Sequence, residues 1–343
     1  MSRTAPEERG RLLRWLHRDS GVPDGASDPG RYDPTAVAQI LRFAGRFIGP
    51  GRYFRLDVRG LEHVPPRPSM VVSNHSGGTT IPDVWGFAYA WYRHFGASRP
   101  IHPLAHEIVT STRTTARFFG RLGVLRAGRG VARDVLTGWG RDLMVMPGGD
   151  IDTWRPWRER YQVRFGGRTG YARTAILAGA PIVPVANAGA HDTLMVLSDG
   201  QRLARWLRLP ELTRATVWPV HLSLPWGLAI GPLPHLPLPT TLRYRVGAPI
   251  APPPLHPGEE PTDEMVGDLD AAVRAAVQGL LDGLRAEAYR RRGPLGARRD
   301  PRAVAAATAA TAAAVVAGGP RVATAVPAHL DAADAAAPLE AAS

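Results

Sequence analysis

One histidine stands just past an apolar run in the segment Val71-Val72-Ser73-Asn74-His75-Ser76-Gly77-Gly78-Thr79-Thr80-Ile81-Pro82-Asp83. The run reads as a strand, the glycines as a loop and Pro82 as the opening of a helix. An imidazole at a strand end can take a proton from a hydroxyl. A carboxylate a short loop away can fix its tautomer and stabilise the imidazolium that forms. Gly77 and Gly78 let that loop fold back, so that Asp83 can reach His75. The plainer alternative is an Asp83 helix cap beside a hydrogen-bonded surface histidine. Arg155, Arg158 and Arg168 flank a second strand-to-loop turn, and guanidinium forks of this kind bind phosphate in bidentate fashion. A solvated basic face is the competing reading.

Other groupings carry less chemistry. His102 and His106 are four apart with Glu107 adjacent, which is not the His-Glu-x-x-His order of a zinc protease, so no metal site is expected. His191-Asp192 could face the site, although a structural role suits them better. The chain has no Gly-x-Ser-x-Gly elbow. It also lacks cysteine and lysine, which excludes disulfides, thiolate nucleophiles and a P-loop. The formal charge of +12 is therefore all arginine. Such a surface attracts nucleic acid, anionic headgroups or phosphate-bearing cofactors alike. No helix-turn-helix, zinc or RNA-binding pattern accompanies it, so nucleic acid is not an expected partner.

The elements that must position these residues follow from periodicity. Strand-like runs at Tyr53–Val58, Ser69–Ser73, Asp142–Met146, Ile182–Ala186 and Leu242–Val246 alternate with helical stretches near Val84–Phe95, Val131–Trp139 and Gly170–Leu177. This order predicts an α/β domain over 51–298, a mostly parallel sheet flanked by helices, with functional loops at the carboxyl ends of strands. Residues 1–50 read as two helical pieces. The second is capped by Asp33 and Pro34, with Val37, Ile40, Leu41, Ala44, Phe47 and Ile48 on one face and Arg42 and Arg46 elsewhere. Such a helix either packs on the domain or lies on a membrane. The aromatic residues from Trp85 to Phe95 form core or an acyl-chain groove.

The stretch 215–242 contains no Asp, Glu, Arg or Lys. Its prolines forbid a spanning helix, leaving an interfacial patch or proline-punctuated strands. A last helix begins at Thr262 with Asp263 and Glu264, and residues 299–343 are expected to be a disordered alanine-rich tail. The start of the chain shows no apolar signal core, which predicts a cytoplasmic protein, peripheral to the membrane.

Asn74-His75 followed by an aspartate resembles the histidine-aspartate motif of the glycerolipid and lysophospholipid acyltransferases, and His-Ser-Gly-Gly is similar to their diacylglycerol-acyltransferase-like branch. The usual motif has four residues between His and Asp, whereas seven separate His75 from Asp83. Gly120 to Arg126 resembles the second family motif, in which the arginine helps to hold the acceptor. Val145-Met146-Pro147-Gly148-Gly149 resembles the third, with Gly148 where glutamate is usual, and Pro181 to Val185 resembles the fourth. Phe165 to Tyr171, which includes Arg168, is similar to the family's basic, glycine-bearing helix entry.

The resemblance covers roughly residues 55–250. It implies an acyltransferase with His75 as base, Asp83 as its orienting partner, and Asn74, Gly77, Gly78, Arg126, Gly148 and Gly149 lining the substrate. It also implies an acyl thioester donor (acyl-coenzyme A or acyl carrier protein), a lipid acceptor and a membrane lipid surface as partners, with no further cofactor. The missing glutamate and the stretched spacing admit a non-catalytic lipid-binding relative as the alternative.

Overall fold

The computed structural model describes residues 28–110, 112–206 and 216–291. The first N-terminal helical piece and the alanine-rich tail lie outside them. Ten strands run in chain order: β1 (Phe54–Arg59), β2 (Met70–Ser73), β3 (Ile101–Ala105), β4 (Leu125–Arg126), β5 (Asp142–Val145), β6 (Ile182–Ala188), β7 (Met195–Ser198), β8 (Val220–Ser223), β9 (Gly227–Ile230) and β10 (Thr240–Val246). The helices are α1 (Pro34–Ala44), α2 (Pro82–Phe95), α3 (Arg113–Arg121), α4 (Arg129–Thr137), α5 (Gly149–Thr153), α6 (Gly170–Ala178), α7 (Gln201–Trp206) and α8 (Asp263–Arg291).

Seven strands form one sheet in the order β1-β10-β6-β2-β5-β3-β4, and β7-β8-β9 form a second. In the large sheet every neighbouring pair is parallel except β10 with β6. Both faces are covered, as a parallel sheet requires. Met70 and Val72 of β2 point to a core shared with α4, α6 and α8, while Val71 points to the opposite core with Phe87 and Trp91 of α2 and Val37 of α1. The aromatic run after Asp83 is accordingly core along its inner stripe, with Phe87 and Trp91 fully buried. In α8, Val266, Leu269, Val273, Val277, Leu281 and Leu284 recur at helical spacing and are all buried.

One expectation is corrected. The amphipathic helix expected to run through Ile48 ends at Ala44. The chain then turns, so that Ile48 bridges Phe54 and is buried while Phe43 and Phe47 stay exposed. The stretch 216–242 takes the form of proline-punctuated strands, an antiparallel β8–β9 hairpin leading through a proline-rich loop into β10.

Candidate active site

β2 lies between β5 and β6 and runs parallel to both, so the loops leaving all three emerge together at one edge of the sheet. His75 leaves β2, the Gly148–Gly149 turn leaves β5, and Ala190–Asp192 follows β6.

The chain bends sharply after His75. Gly77 and Gly78 have φ of +100° and +62°, and a Cβ on Gly77 would stand 2.5 Å from the Pro82 ring. A 3-10 turn at Gly78–Thr80 then leads to Ile81, whose φ of 42° and ψ of 50° lie in the left-handed region. A β-branched residue there costs on the order of 1–3 kcal/mol. The surrounding contacts hold it, and it starts α2 in the direction that turns Asp83 back onto His75. In this way seven intervening residues do the work of the shorter spacing.

The Asp83 carboxylate is fully buried and accepts at both oxygens. Oδ2 accepts from His75 Nδ1 at 2.7 Å and from the Ser76 amide at 2.8 Å, and Oδ1 accepts from the Val84 amide at 2.9 Å. The Tyr244 hydroxyl donates to the Asp83 carbonyl at 2.8 Å. With the carboxylate on Nδ1, that nitrogen carries the proton and Nε2 presents its lone pair. Burial pulls the His75 pKa down, but Asp83, by charge and hydrogen bond, and then Asp152 outweigh it, so the pKa stands above the ordinary 6.5.

Asp152 on α5 was not anticipated from the sequence. It is fully buried, and its Oδ2 accepts from the His75 amide at 2.5 Å while Oδ1 accepts from the Arg164 amide at 3.1 Å. Arg155 forms an ion pair with Asp152 and donates from Nη1 to the His75 carbonyl at 3.1 Å. The pair therefore holds the His75 backbone at both its amide and its carbonyl. Burial pushes the Asp152 carboxyl above its ordinary pKa against the opposing pull of Arg155 and the His75 amide. A carboxylate that binds a backbone rather than a ligand has no spacing signature. Its one trace in the sequence is an aspartate placed three residues before an arginine.

This geometry changes the roles expected of Arg155, Arg168 and Arg126 and leaves that of Arg158 untouched. Arg155 is 3% exposed and spends its guanidinium on Asp152, His75 and the Arg160 carbonyl, so it faces no phosphate. Arg168 donates to the carbonyls of Pro147 and Gly148 and to Asp150, bracing the turn after β5. Arg158 is exposed on a 3-10 turn and forms no ion pair among the described residues. Arg126 ends β4, three strands from β2, hence about 14 Å from His75 at the usual strand spacing.

Asn74 is fully buried and clasps β6, donating to the Asn187 carbonyl and accepting from the Asn187 amide. Its role in this arrangement is to lock the strand ends, and Asn187, also missed in the sequence, accepts from the Ser76 hydroxyl. Gly148 has no room for a side chain. A Cβ there would stand 2.2 Å from the Arg164 carbonyl and 2.3 Å from Asp152 Cβ. Gly149 has a φ of +49° and lies against Arg168, and a Cβ on Gly78 would approach His235 and Trp154.

His102 and His191 are held by the fold. His102 sets Nδ1 against the Gly123 carbonyl at 2.8 Å, and burial lowers its pKa to about 4. His191 is buried against the Tyr161 ring, with its pKa lowered by burial to about 3. No cluster of three or more metal-ligating side chains occurs among the described residues.

Comparison with known proteins places this geometry in context. The family model described as Acyltransferase matches residues 55–188, which run from β1 to the end of β6 and include all the residues gripping His75 named above except Tyr244. Uncharacterized proteins of Mycobacterium tuberculosis and Mycobacterium leprae are 28% and 27% identical over 243 residues, 70% of this chain. The chain spans 63% and 61% of their lengths. A solved 1-acyl-sn-glycerophosphate (LPA) acyltransferase, PlsC, from Thermotoga maritima aligns over 81% of this chain and 84% of its own at 15% identity, with a TM-score of 0.39.

Proposed function

Since residues 55–188 belong to the Acyltransferase family, we propose that the protein transfers a fatty acyl group from an acyl thioester, acyl-coenzyme A or acyl carrier protein, to the hydroxyl of a lipid in glycerolipid synthesis or remodelling. The observation that carries this reading is the 2.7 Å contact between Asp83 and His75 Nδ1, which leaves Nε2 as the base. The acceptor hydroxyl gives its proton to Nε2 as its oxygen attacks the thioester carbonyl. The tetrahedral intermediate then collapses, the carbon–sulfur bond breaks, and the leaving thiolate takes the proton from His75 to depart as the thiol. Transfer is taken as direct, because the chain has no cysteine and the Ser76 hydroxyl is committed to Asn187 Oδ1.

The favoured acceptor is a neutral or bulky lipid alcohol rather than lysophosphatidic acid. Support comes from position 148, where the family's glutamate is replaced by a glycine with no space for a side chain. Arg158, exposed and unpaired among the described residues, suits the donor's phosphates. The setting is the cytoplasmic surface of a membrane. Among the described residues no helix is long and apolar enough to cross one.

The test is incubation of the purified protein with labelled acyl-coenzyme A or acyl carrier protein and a panel of diacylglycerol, monoacylglycerol and lysophosphatidic acid, followed by lipid extraction. The expected result is a labelled neutral ester. Fastest acylation of lysophosphatidic acid overturns the acceptor assignment. No labelled product with any pairing favours the non-catalytic lipid-binding relative.

A further inference from the structure

The small sheet has its faces reversed relative to a solvated antiparallel sheet, in which polar residues face water. Along β7, β8 and β9 the inward residues are Val196, His221, Ser223 and Ala229, all buried. Apart from Ser198, the outward residues are apolar. Strand register aligns Met195 with Leu222 and Leu222 with Leu228, which are 41%, 42% and 64% exposed. Ile230, 57% exposed, continues the same face. A Leu224–Leu236 bridge and the Trp226 indole N–H, which donates to the Pro234 carbonyl at 2.6 Å, carry the apolar surface into the loop before β10. A contiguous apolar patch of this kind marks an interaction surface.

Two further observations say what covers it. The Tyr53 hydroxyl donates to the Pro237 carbonyl at 2.6 Å, joining the patch to the end of α1, where Phe43 and Phe47 are also exposed. Around that junction Arg42, Arg46, Arg52 and Arg55 are exposed and form no ion pair among the described residues, and no acidic residue occurs between Asp33 and Asp57. Apolar side chains beside unanswered arginines, with an indole at the hairpin tip, complement an anionic bilayer surface. A second copy of the chain would bring the same arginines to the same rim with no acid to meet them.

The patch also adjoins the catalytic loop. The Thr79 hydroxyl lies 3.2 Å from the carbonyls of Pro232 and Leu233, and Thr80 Oγ1 lies 3.2 Å from His235 Nε2. We infer that the outward face of β7–β9 and the loop after it, rimmed by the arginines at 42–55, is the surface on which the protein rests on an anionic phospholipid bilayer. Its purpose, delivery of a lipid acceptor to the turn beside His75, rests on the acyl-transfer reading. The docking itself does not.

Flotation of the full chain with vesicles of phosphatidylcholine, with and without phosphatidylglycerol, tests the inference. The wild type should float with the anionic vesicles. The L222S/L228S/I230S variant should bind at least about tenfold more weakly, and R42A/R46A/R52A should lose the preference for phosphatidylglycerol. Because the chain has no cysteine, a dye on L228C reports insertion without background even if the triple variant fails to fold. Its emission should shift to the blue on anionic vesicles, while the same dye on E264C, on α8, should not respond. A wild type that stays with the pellet, a silent L228C dye, or a lipid-free dimer that L222S/L228S/I230S dissolves would each overturn the assignment, the last in favour of a second copy. Turnover of the lipid panel presented in detergent micelles, where no bilayer is needed, separates the two readings. If the protein floats on anionic vesicles but labels no acceptor of that panel, the activity falls and the docking face stands.

Discussion

The loop after β2 and the β7–β9 sheet lie side by side and are built on opposite rules. In the first, the charged side chains of Asp83, Asp152 and Arg155 are buried and matched to backbone groups and to each other, with the Arg155 Nε alone of their polar atoms left without a partner among the described residues. In the second, leucines and a tryptophan face outward, while His221 Nδ1, Ser223 Oγ and His235 Nδ1 are buried without a hydrogen-bond partner among the described residues. Burying unmatched polar groups and exposing large apolar ones both cost free energy. The difference separates a region shaped to fix one side chain from a region shaped to meet something outside the chain.

Four experiments test this contrast. The largest effect is expected for His75→Ala, which should lower turnover by about 10²–10⁴-fold in a protein that still folds, since loss of a general base removes that much rate. Steady-state kinetics with a circular dichroism check reads it, and near-normal turnover would end the proposed mechanism. Asp152→Ala should instead act on the fold, leaving Arg155 buried without its partner at a cost of about 3–5 kcal/mol. Denaturant unfolding measures this, and a small change would mean that the grip on the His75 backbone is dispensable.

The third experiment uses pH. Only the neutral form of His75 accepts a proton, so kcat/KM should fall as pH drops through its raised pKa, above 6.5. Asp83→Asn, by removing the largest upward contribution, should move that inflection down and slow turnover. Stability responds to pH in two senses. The charged His75–Asp83 contact stabilises the fold fully below about 6.5 and is lost as pH rises through the raised folded value. His102, His191 and His235 are held neutral, with pKa values near 4, 3 and 4, so their contribution is present above about 6.5 and is lost as pH falls toward those values. His221 is likewise lowered by burial, so four lowered histidines stand against the raised His75 and predict a Tm that drops on acidification from pH 7 to 5. The smallest effect is expected for Leu228→Ser, within about 0.5 kcal/mol by unfolding, because an outward side chain contributes little to stability. A larger loss would make the reversed face part of the core and remove the contrast.

How much of this could be read in the sequence depended on which groups each residue answers. β1, β2, β5, β6 and β10 follow apolar runs and lie within two residues of their expected bounds. β3 escaped because His102 and Pro103 interrupt its pattern, and β4 because two residues have no period. β7–β9 escaped because alternation shows only that two faces differ, and a sheet with apolar residues outward has the same period as one with them inward. His75 and Asp83 were visible because proton transfer needs particular residue types near each other in the chain. Asp152 and Asn187 were hidden because their partners are backbone groups 77 and 113 residues away. The glutamate missing at position 148 drew attention to a place where packing forbids any side chain.

The long sequence separations around His75 also bear on how the site comes into being during synthesis. The Asp83 carbonyl meets the Tyr244 hydroxyl across 161 residues, Asn74 meets Asn187 across 113, and the His75 amide meets Asp152 across 77. Non-local contacts of this kind form late, because chain closure must precede them. A ribosome that has delivered the histidine and its aspartate has delivered a motif with nothing to brace it. The clasp on His75 is complete only once β10, far downstream, has emerged and joined the sheet, so the nascent chain carries a dormant centre until then.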